Sequence, residues 1–144
     1  MDLDVVPDLT MRGQDDPHGL AAQLPPTVGQ LAARIGELAA RPDRWWHLVR
    51  PDPAAPGQVA LEETGGVRVW LTTWPPGHRT DVHDHGGTHV STVVAGELTE
   101  RVLTADGVTE RPLRANRVRV HGGRTHEIHN PGPAYAITLH ARLG

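Results

Sequence analysis

The chain has 144 residues, a formal net charge of −3 and no cysteine. That length holds about one domain with a real core, and the charge excludes the basic footprint of a nucleic-acid binder. Without cysteine there is no disulfide, thiolate ligand or cysteine nucleophile, and no segment reaches the roughly 18 apolar residues of a membrane span.

Residues 1–26 are rich in Pro, Asp, Gly and Gln and read as a flexible arm ending at Pro25-Pro26. Its opening, MDLDVVPDLTMRGQDD, is acidic and lacks the apolar run of a signal peptide, so the expected location is the cytoplasm. The single domain is expected over 27–144. Thr27 is placed as a helix N-cap, with Gln30 completing a capping box. Val28, Leu31, Ala32, Ile35, Leu38 and Ala39 follow at helical spacing, which predicts an amphipathic helix over 28–40, ended by Pro42. Trp45 and Trp46 read as packing residues, and PDPAAPG as a loop.

From Gln58 onward the pattern changes to short β-like runs: QVALEE, VRVWLTTW, THVSTVVA, ELTERVL, VTERPL, RVRVH, HEIHN and AYAITLHARL. Turn signals separate them, among them Gly65-Gly66, Gly96, Ala105-Asp106-Gly107 and the NPGP run. Many short strands so punctuated predict an all-β domain, an antiparallel barrel or jelly roll over about 58–142 with one helix packed outside it. Such a barrel is expected as a monomer, or as a homodimer paired through edge strands.

Ten histidines is a high number for this length. His83 and His85 are at i and i+2, which on a strand puts both imidazoles on one face and Asp84 on the other. Two imidazoles side by side make half of a metal site, suited to Fe, Zn, Cu or Ni. His126, in GRTHEIHN, is the candidate third ligand. His129 is at an odd offset from His126 and is expected to turn outward. His18, His47 and His78 read as surface or structural histidines.

These spacings fit two rules. Gly77, five residues, His83, one residue, His85 and a later Gly96 make the first. Gly123, two residues, His126, three residues and Asn130 make the second. Together they resemble the two motifs of the cupin superfamily, in which such histidines line a barrel and hold one metal. Cupins usually place a glutamate three or four residues after the second histidine; here those slots hold His89 and Val90. The resemblance therefore implies a three-histidine site, with His89 as an alternative fourth ligand and His121, at a position where cupins often have proline, as a residue of the pocket mouth.

The run WPPGHRTDVHDHGGTHVSTVVAGELTE is more narrowly similar to the thiol dioxygenases of the cysteine dioxygenase family. The matching features are Trp74, Pro76-Gly77, His83-Asp84-His85 and the hairpin from Gly96 to Glu100. Near its C-terminus the family carries serine, histidine and tyrosine at alternate positions; here TLHAR gives Thr138, His140 and Arg142 on one strand face. The resemblance implies that Thr138 orients His140 through a hydroxyl–imidazole hydrogen bond. It also marks departures. Arg142 stands at the tyrosine position, Tyr135 falls on the opposite face from His140, and without cysteine the cysteine–tyrosine crosslink of some members cannot form. The family grips its substrate carboxylate with an arginine upstream of the two histidines; Arg50 and Arg68 are the candidates, and Arg142 is a third, because a guanidinium pairs bidentately with a carboxylate.

The resemblance implies a mononuclear non-haem Fe(II) enzyme that converts a small thiol, cysteine or 3-mercaptopropionate in type, to its sulfinic acid with O2. The alternatives are another metal-dependent cupin enzyme acting on a non-thiol substrate, and a non-catalytic metal- or ligand-binding cupin.

Overall fold

The computed structural model describes residue 24 and residues 26–80, 87–121 and 125–143. The arm expected over 1–26 lies almost wholly outside these residues, and so do His83, Asp84 and His85. Helix α1 spans Val28–Ala39. Its capping box forms as the sequence predicts: Gln30 N donates to Thr27 Oγ1 at 3.1 Å, and Thr27 N donates to Gln30 Oε1 at 2.8 Å. Leu31, Ile35 and Leu38 are its buried stripe. Pro42 then opens the first of two short 3-10 turns, Pro42–Arg44 and Trp46–Leu48. The tryptophans part company here. Trp45 is buried and its Nε1 donates to Leu38 O at 2.7 Å, whereas Trp46 is exposed and does not pack in the core.

The strands are β1 (Gly57–Thr64), β2 (Val67–Trp74), β3 (His89–Ala95), β4 (Leu98–Thr104), β5 (Gly107–Leu113), β6 (Arg119–His121), β7 (Thr125–His129) and β8 (Ala136–Leu143). They pair antiparallel in two sheets, ordered β1-β2-β8-β3-β6 and β5-β4-β7. This is the helix-backed jelly roll expected from the sequence. No helix among the described residues is long and apolar enough to cross a membrane.

Alternation along the strands divides the five-stranded sheet into two faces. Val69, Leu71, Val90, Leu139 and Ala141 form its outer face and pack with Leu31, Ile35, Leu38 and Trp45. The intervening positions, Trp70, Thr72, Thr138, His140, His89 and Ser91, line the interior. A second core joins the sheets: Trp74, Val93 and Ala136 from one, Leu98, Leu113 and Ile128 from the other. The β3–β4 turn depends on Gly96, at φ +78°, where a Cβ would fall 2.7 Å from both Ala136 Cα and Tyr135 O.

Asn130 ties the turn after β2 to the loop after β7. It is fully buried, and its Nδ2 donates to Trp74 O, Pro75 O and Ala134 O at 3.1, 3.2 and 2.9 Å. Its Oδ1 accepts from Gly132 N at 3.1 Å. Its backbone accepts from Gly77 N and donates to His78 O, each at 2.8 Å. The asparagine of the second motif is therefore a staple between loops.

Candidate metal centre

Between the sheets lies a cavity of about 180 Å³. Trp70, Trp74, Leu98, Leu113 and Ile128 form its apolar wall, and His89, Ser91, His121, His126, Thr138 and His140 its polar wall. The register of three neighbouring strands explains the polar wall: Trp70 on β2 and Ser91 on β3 both stand opposite His140 on β8.

His126 is buried on β7, and its Nδ1 donates to Glu100 Oε2 at 2.9 Å. Glu100 comes from β4. There Val102 is opposite His126, so Glu100 is its diagonal neighbour on the same face. The other carboxylate oxygen, Oε1, accepts from Arg119 Nη2 at 2.9 Å and Arg111 Nε at 3.4 Å. Burial alone would raise the Glu100 carboxyl; the imidazoles of His121 and His126 and the Arg119 charge outweigh it and hold the group well below the usual carboxylate range. An ionised Glu100 can only accept. It therefore fixes the Nδ1–H tautomer of His126 and leaves the lone pair on Nε2. That is how a carboxylate prepares a histidine to ligate a metal.

Glu100, His121 and His126 also bring ligand-type atoms within 4.8 Å of one another. With both of its oxygens engaged by N–H groups, Glu100 suits the role of orienting group better than that of ligand. His121 is held through Nε2, 2.7 Å from Ser91 Oγ, with its Nδ1 3.6 Å from Glu100 Oε2. It lines the cavity rather than an outer mouth and is buried.

The opposite end of the polar wall is a second network. Trp74 Nε1 donates to Thr138 Oγ1 at 2.9 Å, and Thr138 Oγ1 is 2.6 Å from His140 Nε2. His140 Nδ1 is in turn 3.0 Å from His89 Nε2. The Trp70 indole stacks on both imidazoles, with ring centroids 4.9 Å from His140 and 5.4 Å from His89.

The remaining candidate residues stand apart. Arg142 shares the strand parity of His140 but is exposed, because β8 has left the interior at that point. It faces Arg68 across the β2–β8 pair, and both line an open cleft that shares Gln58 and Trp70 with the cavity. Arg68 also pairs with Glu63 at 3.6 Å. Arg50 is exposed and lines neither space; its Nη1 donates to His47 O and Val49 O at 2.8 and 3.1 Å. Tyr135 precedes β8 and is not a cavity residue. His83 and His85 lie outside the described residues. Sequence reasoning assigned no role to Glu100, although an acid alternating with Leu98 and Val102 on an inward face is a readable signal.

Residues 28–131 match the family described as cysteine dioxygenase type I. The match takes in α1 and both histidine motifs and stops before β8. No curated protein matches the chain. Among solved structures, a cupin superfamily protein from Desulfitobacterium hafniense is 18% identical, with 69% of this chain and 87% of that one covered at a TM-score of 0.57. A Thermus thermophilus protein is 21% identical, covering 68% and 92% at a TM-score of 0.58. A recombinant oxalate oxidase in complex with glycolate is 22% identical, covering 62% of this chain and 51% of that one at a TM-score of 0.52. At such identities the likeness is one of fold, and the fold is that of the cupins.

Proposed function

The chain belongs to the cysteine dioxygenase type I family, and from that premise we propose that it is a mononuclear non-haem iron thiol dioxygenase. The reaction joins a small thiol and O2: the S–H becomes a sulfinic acid, both oxygen atoms enter the product, and sulfur supplies the four electrons. The observation that carries the reading is the buried Glu100–His126 pair, which holds one imidazole in the tautomer that a ligand needs.

His83, His85 and His126 would hold Fe(II), which when bound supplies the redox centre at which thiol and O2 react. Three neutral ligands leave its charge uncompensated, a setting that favours the thiolate form of the substrate. The chain's own contribution is positional. Trp70 and the apolar wall exclude water. Thr138 and His89 engage the two ring nitrogens of His140 and fix it as part of the cavity wall. Arg68 and Arg142, neighbours on the adjoining cleft, are better placed than Arg50 to receive a substrate carboxylate.

A second reading, a metal-dependent cupin acting on a non-thiol substrate, draws its support from Arg142 at the tyrosine position. Oxygen uptake by the Fe(II)-loaded chain decides between them, measured with cysteine, 3-mercaptopropionate, cysteamine and no thiol, with His126→Ala as control. Thiol-dependent uptake yielding a sulfinate, lost in the control, supports the dioxygenase. Iron bound at one per chain with no uptake for any thiol refutes it and favours the second reading.

A further inference from the structure

Alternate residues along β2 pass from the inner cavity to the outer cleft. Thr72 lines the cavity, Trp70 both spaces and Arg68 the cleft. β8 makes the same passage, with Thr138 and His140 on the cavity and Arg142 on the cleft. Among the described residues Gln58 is the other one common to both spaces. A side chain that lines two spaces at once stands at their boundary. Gln58 is exposed on β1, an edge strand of its sheet, which leaves the Trp70 indole as the fixed part of that boundary.

The indole is held by stacking. Its plane is 4° from that of His140 and 23° from that of His89, with centroids 4.9 and 5.4 Å apart. Both imidazoles are buried, and His140 is engaged at both ring nitrogens, by Thr138 and His89. Trp70 Nε1 is buried and has no hydrogen-bond partner among the described residues. The ring is therefore held by its faces and not by its N–H, and it cannot swing aside without giving up the stack. The cavity it closes is small: about 180 Å³ holds about six water-sized groups, the heavy-atom count of 3-mercaptopropionate. The cleft beyond is about 530 Å³.

We propose that Trp70 is a specificity-determining residue that limits the length of the thiol. With the sulfur end inside the cavity, a short mercapto acid ends at the indole, on the side toward Arg68 and Arg142. A longer chain would have to pass where the ring stands. The length limit rests on the proposed thiol chemistry, which it narrows to short-chain mercapto acids.

The test is thiol binding to the Co(II)-loaded chain, read from the thiolate-to-cobalt charge-transfer absorption, which needs no turnover. The probes are 3-mercaptopropionate, 4-mercaptobutyrate and 6-mercaptohexanoate. One methylene too many in a closed pocket costs about 10- to 200-fold. The wild type is therefore expected to bind 6-mercaptohexanoate at least about tenfold more weakly than 3-mercaptopropionate, and equal affinities overturn the proposal without any variant. Trp70→Leu removes the breadth of the indole and is expected to cut that preference about tenfold, chiefly by tighter binding of the longest thiol. Trp70→Phe keeps a stacking ring and gives up no hydrogen bond, and is expected to retain most of the preference. A purely structural role would weaken all three thiols alike in Trp70→Leu, so an unchanged ratio overturns the proposal; if that variant holds no Co(II), the wild-type series decides. If no thiol changes the wild-type spectrum, the thiol reading fails, and straight-chain carboxylates from acetate to hexanoate, which bind cobalt through oxygen, judge the length limit in their place. A spectrum that neither series changes overturns both.

Discussion

Replacing Glu100 with Gln tests the metal centre without changing its shape. The carboxylate is 3% exposed and accepts from His126 and Arg119 at 2.9 Å and from Arg111 at 3.4 Å. An amide offers one acceptor where three donors converge, so its NH2 must face a donor. A hydrogen bond to a buried charged group contributes about 1.5–3 kcal/mol. The His126 bond counts in full; the Arg119 bond is discounted because that side chain is 22% exposed, and the long, 44% exposed Arg111 contact is discounted further. The expected loss of folding stability is then about 2–4 kcal/mol, read as a lower urea midpoint. The functional effect is separate. With the carboxylate gone, His126 is less basic and less firmly aimed, and divalent metal affinity is expected to fall about 10- to 100-fold, equivalent to about 1.4–2.7 kcal/mol. A competition titration with Co(II) at a temperature where the variant stays folded measures it. Wild-type affinity in Glu100→Gln would show that the carboxylate does not prepare His126, and the central argument for the site would fall.

Asn130→Ala is expected to cost about 3 kcal/mol, since it removes four hydrogen bonds, two buried and two part-buried, at about 1 kcal/mol each, less some water repair; a urea midpoint equal to wild type would show that the loops are tied otherwise. Gly96→Ala is expected to lose about 2–4 kcal/mol, combining left-handed backbone strain with overpacking against Ala136, and thermal unfolding reads it. Arg142→Ala, alone and with Arg68→Ala, is expected to raise KM for 3-mercaptopropionate more than for cysteamine, which has no carboxylate; equal KM changes for both thiols would remove these arginines from substrate binding.

The elements that could be read from the sequence are those whose cause is local. The capping box at Thr27 and Gln30 needs only a four-residue span, and α1 begins where it says. Gly65-Gly66, Gly96 and Gly107 mark turns because the chain there adopts positive φ, and the strands fall between them. What could not be read is what register decides. Glu100 meets His126 only because Val102 pairs with His126, and no periodicity within β4 reveals its partner. Parity placed Arg142 on the face of His140, and so it is, but parity does not say where β8 leaves the barrel, and Arg142 comes out on the open cleft instead. Trp45 and Trp46 are adjacent and identical in chemistry; the 3-10 turns between α1 and β1 bury one and expose the other.

The same distinction bears on the chemistry. Two of the residues that matter most to it, His89 and His140, are 51 positions apart and meet only across the β3–β8 pair. Spacing alone cannot tell a histidine in the glutamate slot from a ligand, since both roles require an inward imidazole. What separates the two is the surroundings of the ring, and these come from the β3–β8 register that sets His89 beside His140, which neither motif contains.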